Sequence, residues 1–316
     1  MWNETNIEHG TIILTSLYKD YIKIVISGSS TIVIDHLPEK LLCCEILIEL
    51  HNTNGISVYK EVIKSSLPYD FQLPYLPSGC YSLHIFYKLK NKSNSYVGLN
   101  TVYGFPLEVK FGTIYTIIPR TLCNNKSIFL DLNNRFTREC VKNNISNKYF
   151  VPSEIIDISH EITKYSYSNY DKILAIHDWV ASNIYYDYDS IADNSYIKQK
   201  QDALSVVRRK RTVCTGYSEL AVTLLRALGI AALNVDCFTL NEQTKENWVK
   251  SDIEVEANHV ITFAYADDRW IMMDVTWDSD NEYKNACYRK KNEDGVSHQY
   301  FDCTLAFISY THKFIK

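Results

Sequence analysis

The sequence predicts an α+β protein of 316 residues, in which an N-terminal β-sandwich precedes a domain of mixed helices and strands. From Thr11 to about Pro119, short apolar segments alternate with turn-forming residues and no helical spacing is found, which is typical of a sandwich of about eight strands. From Ser153 onward apolar residues recur at helical spacing, and two strand-like segments follow. We therefore expect a sandwich at 1–120, a connector at 121–150 and the mixed domain at 151–316.

The first 120 residues show the alternation of a sheet with two different faces. Ile46, Ile48 and Leu50 lie on one face of a predicted strand and Glu49 lies on the other. The segment Leu76–Tyr81 resembles the tyrosine corner of immunoglobulin-like sandwiches, with its proline displaced by one position. The sequence therefore predicts an immunoglobulin-like sandwich.

The connector is polar and basic with a few apolar residues, and a strand is expected within it at Ser127–Asp131. A helix should follow, with Ser153 as its N-cap and an apolar face formed by Ile155, Ile158 and Ile162. Both features place the start of the second domain near residue 151.

A second helix is predicted at about Tyr170–Ile184. Ser168 is its expected N-cap and Asp171 stands at the third helical position, an aspartate variant of the capping box. The polar stretch Asp187–Lys200 is predicted as a loop, and Asp202–Val207 as a short helical segment.

Composition restricts the class of function. A net charge of −4 and a pI near 6.1 argue against a surface made for nucleic acid. No apolar run approaches the roughly 18 residues of a membrane span, and the first residues resemble no signal peptide. Nine cysteines without the spacing of a disulfide framework indicate reduced thiols. The sequence predicts a cytoplasmic protein, with a secreted chain that has lost its signal as the alternative.

Three separated segments contain residue types suited to thiol chemistry. Residues 211–230 predict a helix that starts at Cys214 and stops at Gly229. At a helix start the first N–H groups are unpaired and the dipole is positive, so a thiolate is favoured there. The second segment begins at Asn258 and the third at Arg269, and both are predicted as strands.

The register of the two strands places a histidine beside a carboxylate. If Asp267–Asp268 is the loop, Ala266 pairs with Arg269, and His259 and Asp274 become diagonal neighbours on one face. Their Cβ atoms are then about 7 to 8 Å apart, which allows an imidazole–carboxylate hydrogen bond. A loop longer or shorter by one residue would place them on opposite faces.

The order Cys214, His259, Asp274 is that of a thiolate, an imidazole that exchanges its proton and a carboxylate that orients the imidazole. The surrounding motifs C-x-G-Y-S-E, N-H-V and D-x-T-W-D resemble the transglutaminase-like core of the papain-like cysteine-enzyme superfamily, from near Ser153 to near Asp278. The resemblance implies a papain-like, transglutaminase-like fold for residues 151–316. It also implies that Cys214 is the nucleophile, His259 the general acid/base and Asp274 the orienting residue.

The resemblance is incomplete at three places. Members of the family often have a Trp two residues after the His, where this chain has Ile261, and many have a Pro where it has Val275. The Gly-rich approach to the Cys is replaced by Arg209–Val213. These changes leave the three principal residues intact and affect the shape of the cleft.

Further residues are candidates for the cleft around the cysteine. The Cys214 backbone N–H is an oxyanion donor by its place at the helix start. Tyr186 or Tyr188 is the candidate second donor, with simple packing as the alternative. Trp277 is a candidate cleft residue by the resemblance, with core packing as the alternative. The run Arg208–Arg211 lies close to the thiol in sequence and is interpreted as a solvated basic face.

Neither a metal nor another cofactor is predicted. His177, His298 and His312 lack metal-ligand spacing and are interpreted as structural or surface residues. The Asp/Asn loops that bind Ca²⁺ in the animal transglutaminases are not recognisable.

The expected function is that of a thiol enzyme acting on amide bonds of proteins or peptides through a thioacyl intermediate. Water would resolve the intermediate in a peptidase or amidase, and an amine would resolve it in a transglutaminase. The three residues are common to both, and hydrolysis is the default in a water-filled cleft. A catalytically silent binding or scaffold module is the alternative from another class. The polar stretch Thr239–Ala257 is predicted as a lid or rim of the cleft.

Overall fold

The computed structural model describes residues 11–15, 21–27, 30–37, 41–42, 44–63, 68–88, 96–98, 104–117, 119, 121–141, 151–240, 256–290 and 295–315. The chain forms two compact units. The first consists of Met1–Leu122, Leu240–Ile253 and Thr304–His312, and the second of Cys123–Thr239, Glu254–Cys303 and Lys313–Lys316. The domain limits expected at residues 120 and 150 remain a prediction.

The N-terminal unit is built from two antiparallel sheets. The first sheet contains β1 (Thr11–Thr15), β2 (Tyr21–Ser27), β3 (Thr31–His36) and β6 (Tyr69–Gln72), in the order β1-β2-β3-β6. The second has the order β10-β9-β7-β4-β5, with β8 paired to β7, and contains β4 (Ile46–Asn52), β5 (Ser57–Ile63), β7 (Gly79–Lys88), β8 (Tyr96–Gly98), β9 (Phe105–Lys110) and β10 (Thr113–Thr116). The predicted strand-rich N-terminal part is confirmed. Among the strands that the sequence did not reveal, β6 and β8 are too short to show alternation.

Apolar side chains of both sheets form the core of this unit. Ile24 and Ile34 of the first sheet and Ile48 of the second are fully buried. The ring of Tyr59 on β5 stacks on that of Phe71 on β6, with centroids 6.1 Å apart. The two sheets therefore contact each other through their side chains, as in a sandwich.

The turn before β7 has the hydrogen bond that a tyrosine corner requires. The hydroxyl of Tyr81 donates to the carbonyl oxygen of Pro77 at 2.9 Å. This bond is consistent with the resemblance of Leu76–Tyr81 to the corner of immunoglobulin-like domains. The immunoglobulin-like assignment itself remains a prediction.

The described helices are α1 (Thr121–Asp131), followed directly by a π-helix (Leu132–Val141), then α2 (Ser153–Ile162), α3 (Asn169–Asn183), α4 (Tyr188–Ala192), α5 (Ala203–Arg209), α6 (Cys214–Ala227), α7 (Val275–Ser279) and α8 (Leu305–Ile308). The expected strand at Ser127–Asp131 is wrong, because these residues belong to α1. Asn125, Ile128 and Leu132 are all buried, which is a helical spacing that the short apolar run concealed.

The predicted loop Asp187–Lys200 is also wrong. It contains α4 and a 3₁₀ turn at Ser195–Lys198. Asp187 caps α4 by accepting a hydrogen bond from the backbone N–H of Ser190 at 3.1 Å. A polar stretch therefore forms local helices through its own caps, without an apolar stripe that the sequence would reveal.

Two sheets complete the second part of the chain. One has the order β15-β14-β13-β18 and contains β13 (Ala232–Thr239), β14 (His259–Ala266), β15 (Arg269–Met273) and β18 (His312–Phe314). The other has the order β12-β11-β16-β17 and contains β11 (Tyr185–Asp187), β12 (Arg211–Thr212), β16 (Glu282–Lys284) and β17 (Cys287–Arg289). Helix α6 packs against β14 with an apolar face that is fully excluded from solvent.

The predicted hairpin register is confirmed. Ala266 pairs with Arg269 and Thr262 pairs with Met273, as the two-residue loop requires. Asp267 and Asp268 both have positive φ angles, of 52° and 59°, as expected of a turn whose twist matches that of the two strands. This turn therefore fixes which face each residue of β14 and β15 presents.

The start of α3 is confirmed and that of α2 is corrected. Ser168 caps α3 through a complete capping box, in which the Asp171 N–H donates to the Ser168 hydroxyl and the Ser168 N–H donates to the Asp171 carboxylate, both at 3.0 Å. Ser153 is instead the first residue of α2, and Pro152 occupies the cap position without a side-chain hydrogen bond. Pro152 has a φ of −57° and a ψ of 141°, so its backbone is still extended at ψ, as is usual for the residue that precedes a helix.

These two serines provide a matched test of capping. Ser168→Ala removes a hydrogen bond to an otherwise unpaired N–H, and we expect it to lower the free energy of unfolding by about 1 kcal/mol. Ser153→Ala removes no capping bond and should change it by less than about 0.5 kcal/mol. Urea denaturation of both variants checks this, and equal losses in the two would contradict it.

Candidate active site

Cys214 is the first residue of α6 and is half-buried. Val213 precedes it in the cap position and supplies no side-chain hydrogen bond to the first turn. The C-terminal end of the helix is capped at Gly229, which has a φ of 76°. The N–H of the next residue, Ile230, donates to the Leu225 carbonyl at 3.1 Å. The thiol therefore lies where the unpaired N–H groups and the helix dipole favour a negative charge.

The residues that follow the cysteine fix α6 to its neighbours. A Cβ atom at Gly216 would lie 1.9 Å from the Thr212 hydroxyl oxygen, so only glycine fits there. The hydroxyl of Tyr217, which is fully buried, contacts that of Ser279 at 3.1 Å. Ser279 in turn donates to the carbonyl of Ala181 in α3 at 2.8 Å. The motif thus links α6 to α7 and α3.

A second set of hydrogen bonds links α6 to the sheet. The Ser218 hydroxyl donates to the Asn234 side-chain oxygen on β13 at 2.6 Å and lies 2.8 Å from the Thr262 hydroxyl on β14. The Asn234 side-chain N–H donates to the carboxylate of Glu219 at 2.8 Å. These bonds therefore fix the position of α6, which contains Cys214, against β14, which contains His259.

His259 begins β14 and is hydrogen-bonded to a buried carboxylate. Its Nε2 lies 2.7 Å from Oδ2 of Asp274, and the Asp274 side chain is fully buried. The expectation that Asp274 continues the strand is wrong, because β15 ends at Met273 and Asp274 is the N-cap of α7. Its Oδ1 accepts hydrogen bonds from the N–H groups of Thr276 and Trp277, both at 3.1 Å. One carboxylate therefore both orients the imidazole and starts a helix.

The charges of Cys214 and His259 depend on each other. Burial opposes ionisation of the Cys214 thiol, but the hydrogen bond and the positive charge of His259 outweigh it, so the pKa of Cys214 is lowered. Burial also opposes protonation of His259, but the charge and hydrogen bond of Asp274, followed by those of Cys214, raise the pKa of His259 to about 10. The site favours a thiolate–imidazolium pair at neutral pH. Since the pKa of His259 is raised on folding, the protonated imidazole contributes stability that is fully present below pH 6.5 and is lost as the pH rises towards about 10.

Two other buried thiols contrast with Cys214. Cys237 pairs with His259 across β13 and β14, and Cys303 is also buried. Burial raises the pKa of both thiols well above its ordinary value. Burial thus opposes ionisation of these two thiols, whereas the hydrogen bond and charge of His259 lower the pKa of Cys214.

The two candidate tyrosines occupy different environments. Tyr186 on β11 pairs with Thr212, two residues before Cys214, and its ring is half-buried. Burial and then the charge of Cys214 raise the pKa of Tyr186, which keeps the phenol protonated. Tyr188 is 44% exposed, and its ring contacts that of Tyr186 and lies 5.8 Å from the Lys284 ammonium. Tyr186 thus lies on the strand that pairs with the residues leading into Cys214, and Tyr188 is exposed with its ring against that of Tyr186.

Trp277 lies against the histidine. Its ring centroid is 6.0 Å from that of His259 and 5.1 Å from that of Tyr300, and the side chain is half-buried. The indole therefore covers one side of the imidazole while remaining partly accessible.

The three arginines before the cysteine form salt bridges and hydrogen bonds with other residues of the domain. Arg208 forms a salt bridge with Glu154 at 2.9 Å, and Arg209 donates to the carbonyl of Lys200 at 3.2 Å. Arg211 pairs with Asp187 at 3.1 Å and lies over the ring of Tyr283 at 4.0 Å. These arginines hold the segments around the start of α6.

The sequence did not reveal the role of Asn258. Asn258, the residue before His259, accepts the backbone N–H of Thr239 at 2.8 Å and so holds the end of β13. The N-H-V motif singled out Asn258, but its role depends on a partner 19 residues away. Residues 241–255, most of the expected lid at Thr239–Ala257, lie outside the described residues.

This geometry defines the class of the domain: an α+β fold in which a helix bearing a cysteine packs on an antiparallel sheet bearing a histidine. Residues 156–275 match the model of the transglutaminase-like superfamily, so this part of the chain is a transglutaminase-like domain. The matched segment includes Cys214, His259 and Asp274. No curated protein is significantly similar to the chain.

Two solved structures are similar to this chain at low identity. One is described as a "putative cysteine protease" from Cytophaga hutchinsonii, with 12% identity, 93% of this chain and 76% of that chain covered, and a TM-score of 0.31. The other is described as a "putative protease" from Parabacteroides distasonis, with 10% identity, 80% of this chain and 63% of that chain covered, and a TM-score of 0.29. Similarity at this level does not extend to the reaction. In the part of the chain that the structure describes, no helix is both long and apolar enough to cross a membrane.

The two functions of Asp274 can be separated by substitution. Asp274→Asn keeps an oxygen that can cap α7 but removes the charge, so we expect the pKa of His259 to fall from about 10 while stability falls less than in Asp274→Ala. Asp274→Ala removes the cap as well and should cost about 1 kcal/mol more. NMR titration of the His259 ring and thermal unfolding measure the two effects. An unchanged His259 pKa in both variants would show that Asp274 does not control the imidazole.

Proposed function

We propose that the transglutaminase-like domain is a thiol enzyme acting on amide bonds of proteins or peptides. Cys214 is the nucleophile, His259 the general acid/base and Asp274 the residue that orients His259. The observation that supports this best is the hydrogen-bonded series Cys214–His259–Asp274, in which the pKa of the thiol is lowered and that of the imidazole is raised. A site with these shifts can supply a nucleophile and a proton at the same pH.

The proposed first step is acylation of the cysteine. The Cys214 thiolate attacks the amide carbonyl carbon, and a C–S bond forms as the carbonyl oxygen becomes an oxyanion. Collapse of this intermediate breaks the C–N bond, and His259 gives its proton to the leaving amine. Since Nε2 of His259 is held by Asp274, Nδ1 is the ring nitrogen that exchanges this proton. The products are the free amine and a thioester on Cys214.

The proposed second step releases the acyl group. His259, now neutral, takes a proton from an attacking water, and the acid leaves as the thiolate–imidazolium pair is restored. An amine in place of water would give a new amide, as in a transglutaminase. We propose hydrolysis, because water is the default nucleophile in a cleft open to solvent. Product analysis of a glutamine-containing peptide with and without a primary amine distinguishes the two, and an amine adduct alone would exclude hydrolysis.

The oxyanion requires donors that are fixed before the reaction. The Cys214 backbone N–H at the start of α6 is one donor, since the first N–H groups of a helix have no partner within it. The Tyr186 hydroxyl is the second donor in this proposal, because its strand pairs with the residues leading into Cys214. Tyr188 is assigned to the rim, where its ring is accessible to a substrate chain.

The reactivity of Cys214 tests the nucleophile before any substrate is known. We expect iodoacetamide to alkylate Cys214 rapidly below pH 9, because His259 lowers the pKa of the thiol. In His259→Ala the rate near neutral pH should fall at least about 10-fold, since burial alone raises a thiol pKa. Mass spectrometry of the labelled peptides gives the rate, with the exposed thiol of Cys287 as internal control. Equal rates for Cys214 in both proteins would exclude the thiolate–imidazolium pair and favour a binding or scaffold module.

The assignment of Tyr186 is tested in the peptide assay. Tyr186→Phe removes one oxyanion donor and should lower kcat about 100-fold with little change in KM. Tyr188→Phe should leave kcat nearly unchanged, because its hydroxyl is assigned no role in the reaction. The reverse pattern would assign the donor to Tyr188, and no loss in either variant would mean that the second donor is elsewhere.

A further inference from the structure

A second group of polar side chains lies in the same domain and shares no residue with the proposed active site. It consists of His177 and Asp178 on α3, Asp278 on α7 and His298. Nδ1 of His177 lies 3.0 Å from Oδ1 of Asp178, and Nε2 of His298 lies 2.7 Å from the same oxygen. The two imidazole rings are 5.5 Å apart between centroids. Two imidazole nitrogens therefore converge on one carboxylate oxygen.

This convergence was hidden in the sequence. His177 and His298 are 121 residues apart and have no motif spacing, so they were interpreted as structural or surface residues. The fold brings them together because Asp178 follows His177 on α3 and hydrogen-bonds to the histidine that comes after α7. Their contact with one carboxylate could not be inferred from their spacing, and their interpretation as structural or surface residues remains a prediction.

We propose that His177, Asp178 and His298 bind a divalent transition-metal ion. Their three ligand atoms, one from each side chain, lie within 4.8 Å of one another. In a tetrahedral zinc site with bonds of about 2.0–2.2 Å, ligand atoms lie about 3.3 Å apart, so only small side-chain movements would admit the ion. Two imidazoles and a carboxylate form a donor set suited to zinc, cobalt or nickel rather than to calcium or magnesium.

The surroundings of His177 support a ligand role for its Nδ1. Its other nitrogen, Nε2, lies 3.2 Å from Oδ2 of Asp278, and both side chains are fully buried. Metal-bound histidines characteristically donate their second N–H to a carboxylate, which fixes the ring and the tautomer. Asp278 is itself held, since it accepts from the Ser297 hydroxyl at 2.8 Å and from the Tyr300 N–H at 3.1 Å.

The cluster has access to solvent on one side. The side chain of Asp178 is 40% exposed and that of His298 is 17% exposed, whereas His177 is inaccessible. An ion can therefore enter past Asp178, and water can occupy its fourth position. On binding, each imidazole releases to solvent the proton that it donates to Asp178, and the nitrogen lone pair binds the ion instead.

Cobalt binding tests the proposal without reference to enzyme activity. We use the full chain with Cys214→Ala, so that the Cys214 thiolate is not available as a competing ligand, and titrate it with Co²⁺. We expect one Co²⁺ per chain, with the visible absorption of nitrogen and oxygen ligation and without the charge-transfer band of a cobalt thiolate. Loss of a carboxylate that hydrogen-bonds to a metal ligand costs about 10–100-fold in affinity. His298 is proposed as a ligand itself, so His298→Ala should weaken Co²⁺ binding by about 100-fold or more.

Two further variants make the test specific. His160→Ala replaces an exposed histidine on α2 outside the cluster, and binding should remain unchanged. Asp278→Asn should weaken binding about 10–100-fold through His177. Circular dichroism confirms that each variant folds, and His298→Gln replaces His298→Ala if the latter does not. Absence of stoichiometric binding, or binding that His298→Ala and His298→Gln leave intact, would overturn the proposal and leave the cluster as a hydrogen-bonded network.

Discussion

The hydrogen bond between His259 and Asp274 is the interaction on which the rest of this domain depends. A carboxylate with no exposed surface is unfavourable unless its oxygens are paired. Asp274 satisfies this condition through the imidazole on one oxygen and two backbone N–H groups of α7 on the other. The same charge raises the pKa of His259, which in turn lowers that of Cys214. The charge of one buried aspartate thus favours the protonated form of His259, and the charge of His259 in turn favours the thiolate of Cys214.

Such a site requires helices and strands that keep fixed relative positions, and hydrogen bonds between polar side chains fix them in this domain. Tyr217 and Ser279 connect α6 to α7, and Ser218 connects α6 to β13 and β14. The same helix has an apolar face whose residues Leu220 and Leu224 have no exposed surface. Because buried hydroxyl groups must find partners, they specify one alignment of helix and sheet, whereas apolar packing alone would tolerate several.

Local patterns were sufficient for much of this fold. The turn at Asp267–Asp268 fixed the hairpin register, and Ser168 with Asp171 fixed the start of α3, because both depend on residues close in sequence. The end of β15 was not predictable, since an aspartate at position 274 can continue a strand or cap a helix, and the local sequence fits both. The grouping of His177 with His298 was likewise set by tertiary packing. The sequence therefore suggested the candidate residues of the site, but it did not predict the helix that Asp274 caps or the contacts between distant side chains.

Helix α7 connects the two polar clusters. It has five residues, too few to be stable alone, so it depends on interactions at both of its ends. Asp274 caps its start, and Asp278 in its last turn pairs with His177. Tyr300 reinforces both ends, because its carbonyl accepts the N–H of Asp274 and its own N–H donates to Asp278. The contacts of His177 therefore extend through Asp278 and α7 to Asp274, the carboxylate that is hydrogen-bonded to His259.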